Sequence, residues 1–119
     1  MAADDPLARL PRDLRRRADL TGSGELLWPA ATAVEAIRWL GSQSLGVLGF
    51  EVYAPFDEAR GHFQYEWAVT PRWDRRAETW ERYVDRAVAQ ATGEIEAEAL
   101  SSDLPERRYF FPFSTEAGY

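Results

Sequence analysis

The amino-acid sequence predicts an α+β domain: a two-layer sandwich in which two helices cover one face of a mainly antiparallel sheet of about three strands. Residues 62–69 alternate strictly between polar and apolar side chains, which is typical of a half-buried strand. Two other segments carry apolar stripes at helical spacing. A chain of 119 residues, 45% of them hydrophobic, is long enough for one hydrophobic core. The predicted order of elements is α-β-β-α-β.

The first part of the chain differs from the rest. We expect residues 1–24 to form a flexible or partly helical lead-in and residues 25–119 to form a single domain. Leucines at helical spacing predict a short helix near residues 11–20. The Thr-Gly-Ser-Gly run at 21–24 is typical of a flexible connector and ends that helix.

The first main helix is predicted over residues 29–40. Proline suits the first helical turn because its missing N–H has no partner there, so Pro29 favours a start at that position. Thr32 and Glu35 match a capping box, which leaves a later start as the alternative. Gly41 is placed to stop the helix. The apolar stripe consists of Val34, Ile37 and Leu40.

Two strands are predicted next, over residues 45–53 and 62–69, and we expect them to pair as an antiparallel hairpin. The first is apolar on both faces, so both faces are expected to be covered, or one to meet a partner. Gly46 and Gly49 indicate close packing against another backbone. The connection is long for a hairpin, so its tip at 56–60 is a candidate for presentation to a partner.

A long helix over residues 76–100 and a final strand over residues 107–113 complete the prediction. Gly93 weakens the second half of the helix. Proline cannot donate to a sheet ladder, so Pro112 predicts that the final strand lies at an edge or ends there. The stripe of the long helix consists of Trp80, Val84, Ala87, Ala91 and Ile95.

Composition excludes several classes of function. The net charge of −6 opposes nonspecific binding to nucleic acid, whose affinity depends on neutralised phosphates. Without cysteine, and with one histidine, the chain offers no thiolate nucleophile and no typical metal-ligand set, so we predict no metal site. No apolar run is long enough to cross a membrane and no signal peptide precedes the domain, so a cytoplasmic location is expected.

Glu51 is the most informative single residue because it interrupts an apolar strand. A buried carboxylate costs several kcal/mol unless it is paired. Glu51 therefore either meets a cationic group of a partner or ligand, or pairs with an internal arginine such as Arg38 or Arg107, or lies on an exposed edge.

Two further side chains carry alternative interpretations. His62, the only histidine, is a candidate general base with Glu66 or Glu51, although a solvated histidine at the start of a strand is the simpler interpretation. Trp73 lies between arginines, a combination found at protein interfaces, and its alternative role is to pack at the entry of the long helix.

The assembled pattern resembles the small immunity proteins of bacterial polymorphic toxin systems. The segments that carry the resemblance lie within residues 26–113 and are Trp28-Pro29, Leu48-Gly-Phe-Glu-Val-Tyr53, Tyr65-Glu-Trp67, Trp80-x-x-Tyr83 and Tyr109-Phe-Phe111. The resemblance implies a protein that binds a toxin and masks its active site, without catalysis or a cofactor.

The acidic charge suits a basic partner protein, such as a nuclease toxin. We predict that partner contact involves Glu51, Asp57, Glu58, Glu66 and Trp73. One alternative is a small-molecule-binding or enzymatic domain with its pocket near Glu51, Tyr53 and His62. Another is a homodimer formed through an open edge strand at residues 107–113.

Overall fold

The computed structural model of the chain describes residues 6–20, 25–54, 63–69, 72–101 and 107–119. These residues combine helices with small antiparallel sheets, which confirms the predicted α+β class. After a 3-10 helix at Pro6–Arg9, the α-helices are α1 (Arg12–Arg16), α2 (Ala30–Ser42) and α3 (Trp80–Ser101). The strands are β1 (Asp19–Leu20), β2 (Leu26–Leu27), β3 (Gly46–Val47), β4 (Gly49–Ala54), β5 (Phe63–Val69), β6 (Arg108–Phe110) and β7 (Phe113–Ser114).

The predicted hairpin is confirmed: β4 and β5 pair antiparallel, with a register shift between Val52 and Tyr53. The central sheet has the order β5-β4-β6, and all its pairs are antiparallel. Two smaller sheets, β1-β2 and β3-β7, flank it.

Strand β6 lies at one edge of the central sheet, as predicted, but this edge is covered at Tyr109. On the side of β6 away from β4, the backbone of Tyr109 exchanges two hydrogen bonds with that of Trp28, at 3.0 and 2.7 Å. The strand also ends at Phe110, before Pro112, which agrees with the second part of the prediction. The carbonyl of Pro112 accepts a hydrogen bond from the N–H of Leu48 at 2.9 Å. Because Pro112 lies outside the strand, the N–H that proline lacks removes no hydrogen bond between β6 and β4.

The single strand predicted over residues 45–53 is divided at Leu48 into β3 and β4. Gly46, in β3, packs against aromatic side chains at the start of α3 rather than against another backbone. A Cβ at Gly46 would lie 2.8 Å from the Tyr83 ring and 2.9 Å from the Trp80 ring. Only glycine therefore allows α3 to approach β3 this closely.

Helix α2 begins at Ala30 with Pro29 as its N-cap residue, so the later start at Thr32 is wrong. The prediction that Gly41 stops the helix is also wrong, because the helix continues to Ser42. A Cβ at Gly41 would lie 2.7 Å from a methyl group of Val88 on α3. Gly41 therefore allows close contact between α2 and α3. Beyond the end of α2, Ser44 adopts a left-handed backbone conformation, with φ 60°.

Helix α3 begins at Trp80, four residues later than predicted. Asp74 accepts a hydrogen bond from the N–H of Arg76 at 2.9 Å, which holds this stretch as a separate turn. The hydroxyl of Thr79 then accepts the N–H of Arg82 at 3.2 Å, as an N-cap residue does.

Two groups of buried side chains hold the elements together. The larger lies between the sheets and all three helices, and includes Leu10 and Leu14 from the lead-in as well as Ala91 and Ile95 from α3. The smaller, at the start of α3, consists of Trp80, Tyr83, Val84 and Ala87. The predicted stripe of α3 is confirmed, because all five of its residues are buried. No helix among the described residues is long and apolar enough to cross a membrane.

Candidate functional site

Glu51 lies on the middle strand of the central sheet. Its register partners are Trp67 on β5 and Phe110 on β6, and the next residue, Val52, pairs with Tyr109. Val52 and Tyr109 are fully buried, whereas Glu51 is half-buried. Successive residues of a strand point to opposite faces, so Glu51 lies on the face of the sheet opposite to the core side chains.

Tyr53 holds the Glu51 carboxylate on this face. The phenol donates a hydrogen bond to Oε2 of Glu51 at 2.8 Å. Burial raises the pKa of Tyr53 to about 12, and the hydrogen bond to Glu51 and the nearby negative charge of Glu25 act in the same direction. The hydroxyl therefore keeps its proton at neutral pH and remains a donor to Glu51.

The arginines proposed as internal partners of Glu51 are engaged elsewhere or exposed. Nη1 of Arg107 lies 2.5 Å from Oε1 of Glu98, and Arg38 is exposed on α2. The neighbouring Arg108 pairs with Asp19 at 2.6 Å. Within the described ranges, no basic side chain pairs with Glu51.

Arg107, Glu98 and Tyr109 form a buried polar network that the sequence reasoning did not predict. Arg107 is only 7% exposed and donates to both the backbone carbonyl and the carboxylate of Glu98. The phenol of Tyr109 also donates to Glu98, and burial, followed by this hydrogen bond, raises the pKa of Tyr109. Both Arg107 and Tyr109 bond to Glu98, so the network joins the end of α3 to β6.

Trp73 packs at the entry of α3, as its alternative interpretation proposes. Its ring meets Trp80 edge-to-face at 4.9 Å and Tyr119 at 5.7 Å, and its indole N–H donates to the carbonyl of Glu78 at 3.1 Å. The ring is half-buried, with the Arg75 guanidinium 5.0 Å from its centroid. Contact between Trp73 and a partner stays a prediction.

The remaining predicted site residues divide into two groups. Asp57, Glu58 and His62, with the predicted tip at 56–60, lie outside the described residues. Glu66 is the register partner of Val52, one position from the pair formed by Glu51 and Trp67.

A partly enclosed cavity of about 190 Å³ lies beyond β6, and no pattern in the sequence indicated it. Its wall joins side chains from the 3-10 helix, α2, the strands and Glu25. The lining residues are Leu7, Leu10, Glu25, Leu26, Trp28, Ala36, Leu40, Phe110, Phe111 and Phe113.

The described part of the chain contains no group of three or more histidine, cysteine or acidic side chains placed to hold a metal ion. The chemistry it does present is a carboxylate held by a phenol, a second carboxylate nearby, and an apolar cavity. Such groups are suited to recognition of a cation or an apolar ring. No protein-family model, curated protein or solved structure matches the chain.

Proposed function

We propose that the chain is an immunity-type protein that binds a basic bacterial toxin and masks its active site. The observation that supports this function is the burial and the hydrogen bonding of Glu51. It is half-buried on the middle strand, its hydrogen bond comes from the neutral phenol of Tyr53, and no described basic side chain pairs with it. A cationic side chain of a partner would supply the missing opposite charge.

The surroundings of Glu51 favour a guanidinium or ammonium group. Tyr53 orients the carboxylate through Oε2, and Phe110 on the neighbouring strand is half-buried beside it. Hydrogen bonds to charged groups contribute about 1.5–3 kcal/mol when they are formed away from water. The net charge of −6 would speed the approach of a basic partner.

The proposal also includes the layer arrangement, the contact residues and the location that the sequence predicts. In it, both long helices cover the core face of the sheet in a two-layer arrangement, and the partner meets the opposite face. Asp57, Glu58, Glu66 and Trp73 remain proposed contacts. The protein would act in the cytoplasm, without catalysis or a cofactor.

The test begins with capture of partners from the native host by the tagged full-length chain, at low and moderate salt. A captured protein counts as the toxin only if it arrests growth when it is expressed alone and if the wild-type chain restores growth. We expect Glu51→Gln to weaken binding tenfold or more, since loss of a charged hydrogen bond costs about 1.5–3 kcal/mol.

Glu96→Gln provides the matched control, because it removes the same charge at an exposed position on α3. It should bind and restore growth like the wild type, and both variants should melt close to the wild-type temperature. The proposal fails if Glu51→Gln protects as well as Glu96→Gln does, or if every captured partner is harmless alone.

A further inference from the structure

We propose that the cavity beyond β6 is a binding site for a small molecule with a single aromatic ring. The cavity shares Phe110 with the surroundings of Glu51, but the binding of a small molecule there does not depend on the proposed function. The cavity encloses about 190 Å³ between the 3-10 helix, α2 and the strands that end near Phe113. Protein interiors rarely contain voids larger than a water molecule, so a cavity of this size needs an explanation.

The size of the cavity sets the size of the occupant. A cavity of roughly 150 Å³ lined by aliphatic and aromatic side chains stays dry and binds benzene. The cavity here is somewhat larger, so it accommodates one ring with a short side chain.

The wall favours an apolar occupant over water. A buried water needs about two to four polar partners. Apart from Glu25, every described side chain in the lining is apolar. Water molecules there would lose hydrogen bonds, and an apolar ring that displaces them would gain affinity.

The aromatic part of the wall is already ordered, which reduces the entropic cost of binding. The indole N–H of Trp28 donates to the carbonyl of Leu14 at 2.7 Å. The Trp28 ring also stacks on Phe111, with centroids 5.2 Å apart and planes inclined by 13°. A flat ring in the cavity would therefore meet a fixed aromatic surface.

Glu25 sets the charge preference of the site. Among the lining residues that the structure describes, Glu25 alone is charged, and its carboxylate acts electrostatically on Tyr53 together with Glu51. An amine on the ligand is attracted to this end of the cavity and a carboxylate is repelled. The expected order of affinity is phenethylamine first, then neutral benzyl alcohol, and phenylacetate last.

The experiment measures the binding of these three probes to the full-length chain by saturation-transfer NMR and isothermal titration calorimetry. Ala36 is 1% exposed and lines the cavity from α2, so Ala36→Leu would fill the space. Ala31→Leu is the matched control, because it adds the same side chain to an exposed position on the same helix. We expect binding to be at least tenfold weaker in Ala36→Leu and unchanged in Ala31→Leu.

Two further variants keep the test decisive if Ala36→Leu folds poorly. Glu25→Gln should reduce the preference for phenethylamine over phenylacetate by roughly tenfold, since it removes one attraction and one repulsion. Phe113→Ala, at the half-buried rim, should weaken all three probes several-fold. Absence of binding to the wild type at about 10 mM of each probe would overturn the proposal, as would equal binding to Ala36→Leu and wild type.

Discussion

Replacement of Gly41 by alanine tests the contact between α2 and α3. Two effects oppose each other at this position. Alanine inside a helix is favoured over glycine by about 1 kcal/mol. The new Cβ, however, would lie 2.7 Å from a methyl group of Val88. Valine in a helix has one strongly preferred rotamer, so Val88 cannot rotate away and the backbones must separate.

Overpacking of this kind costs about 1–3 kcal/mol. After subtraction of the propensity gain, we expect Gly41→Ala to lower the free energy of unfolding by up to about 2 kcal/mol. For a chain of this length, each kcal/mol corresponds to roughly 3–6 °C in melting temperature. Urea unfolding at neutral pH, checked by calorimetry, measures both quantities.

The matched control is Gly93→Ala. Gly93 is exposed within α3, and a Cβ there would meet no atom within 4 Å. The same substitution should therefore stabilise the protein by about 0.5–1 kcal/mol. In the double variant Gly41→Ala/Val88→Ala the close contact is relieved, so the combined loss should be smaller than the sum of the single losses. A Gly41→Ala variant that gains as much stability as Gly93→Ala would refute the close approach of the two helices.

Two further predictions concern the buried phenols. Because the pKa of Tyr53 is raised from 10.0 to about 12, the folded state holds its proton more tightly than the unfolded state does. The contribution of Tyr53 to the free energy of unfolding is complete below pH 10 and is lost as the pH rises to about 12. The urea midpoint of Tyr53→Phe should therefore fall less steeply than that of the wild type over this pH range. An equal slope for the two proteins would contradict this prediction. Tyr109→Phe removes a donor to the buried Glu98 carboxylate and should cost about 1–3 kcal/mol at neutral pH, while a loss below about 0.5 kcal/mol would show that the network does not depend on this hydroxyl.

Periodic patterns in the sequence predicted the elements whose faces differ most in polarity. The stripe of α3 and the alternation of β5 are long enough for their period to be unambiguous, and both elements are observed. The boundaries depended on contacts that periodicity does not contain. Gly41 continues a helix instead of ending it, because the neighbouring helix occupies the space of its missing side chain.

The candidate site was predictable only in part, for a related reason. A carboxylate in an apolar strand identified Glu51 as unusual, but only the fold decides which arginines reach it. Arg107 was a reasonable candidate from sequence, and it instead pairs with Glu98, nine residues before it in the chain. The cavity depends on side chains distant in sequence, from Leu10 to Phe113, so no local pattern could indicate it.

The contacts of β6 with earlier parts of the chain have a consequence for synthesis of the protein. The strand lies between β4 and Trp28, and its Arg108 pairs with Asp19, 89 positions earlier. A ribosome synthesises these residues after both of the segments that they contact, so the earlier strands emerge with open edges and must wait for their shared neighbour. Long-range pairings of this kind slow folding, because loop closure must precede the contacts that compensate for it. The nascent chain therefore passes through a period of exposed strand edges, during which chaperones and aggregation compete for it.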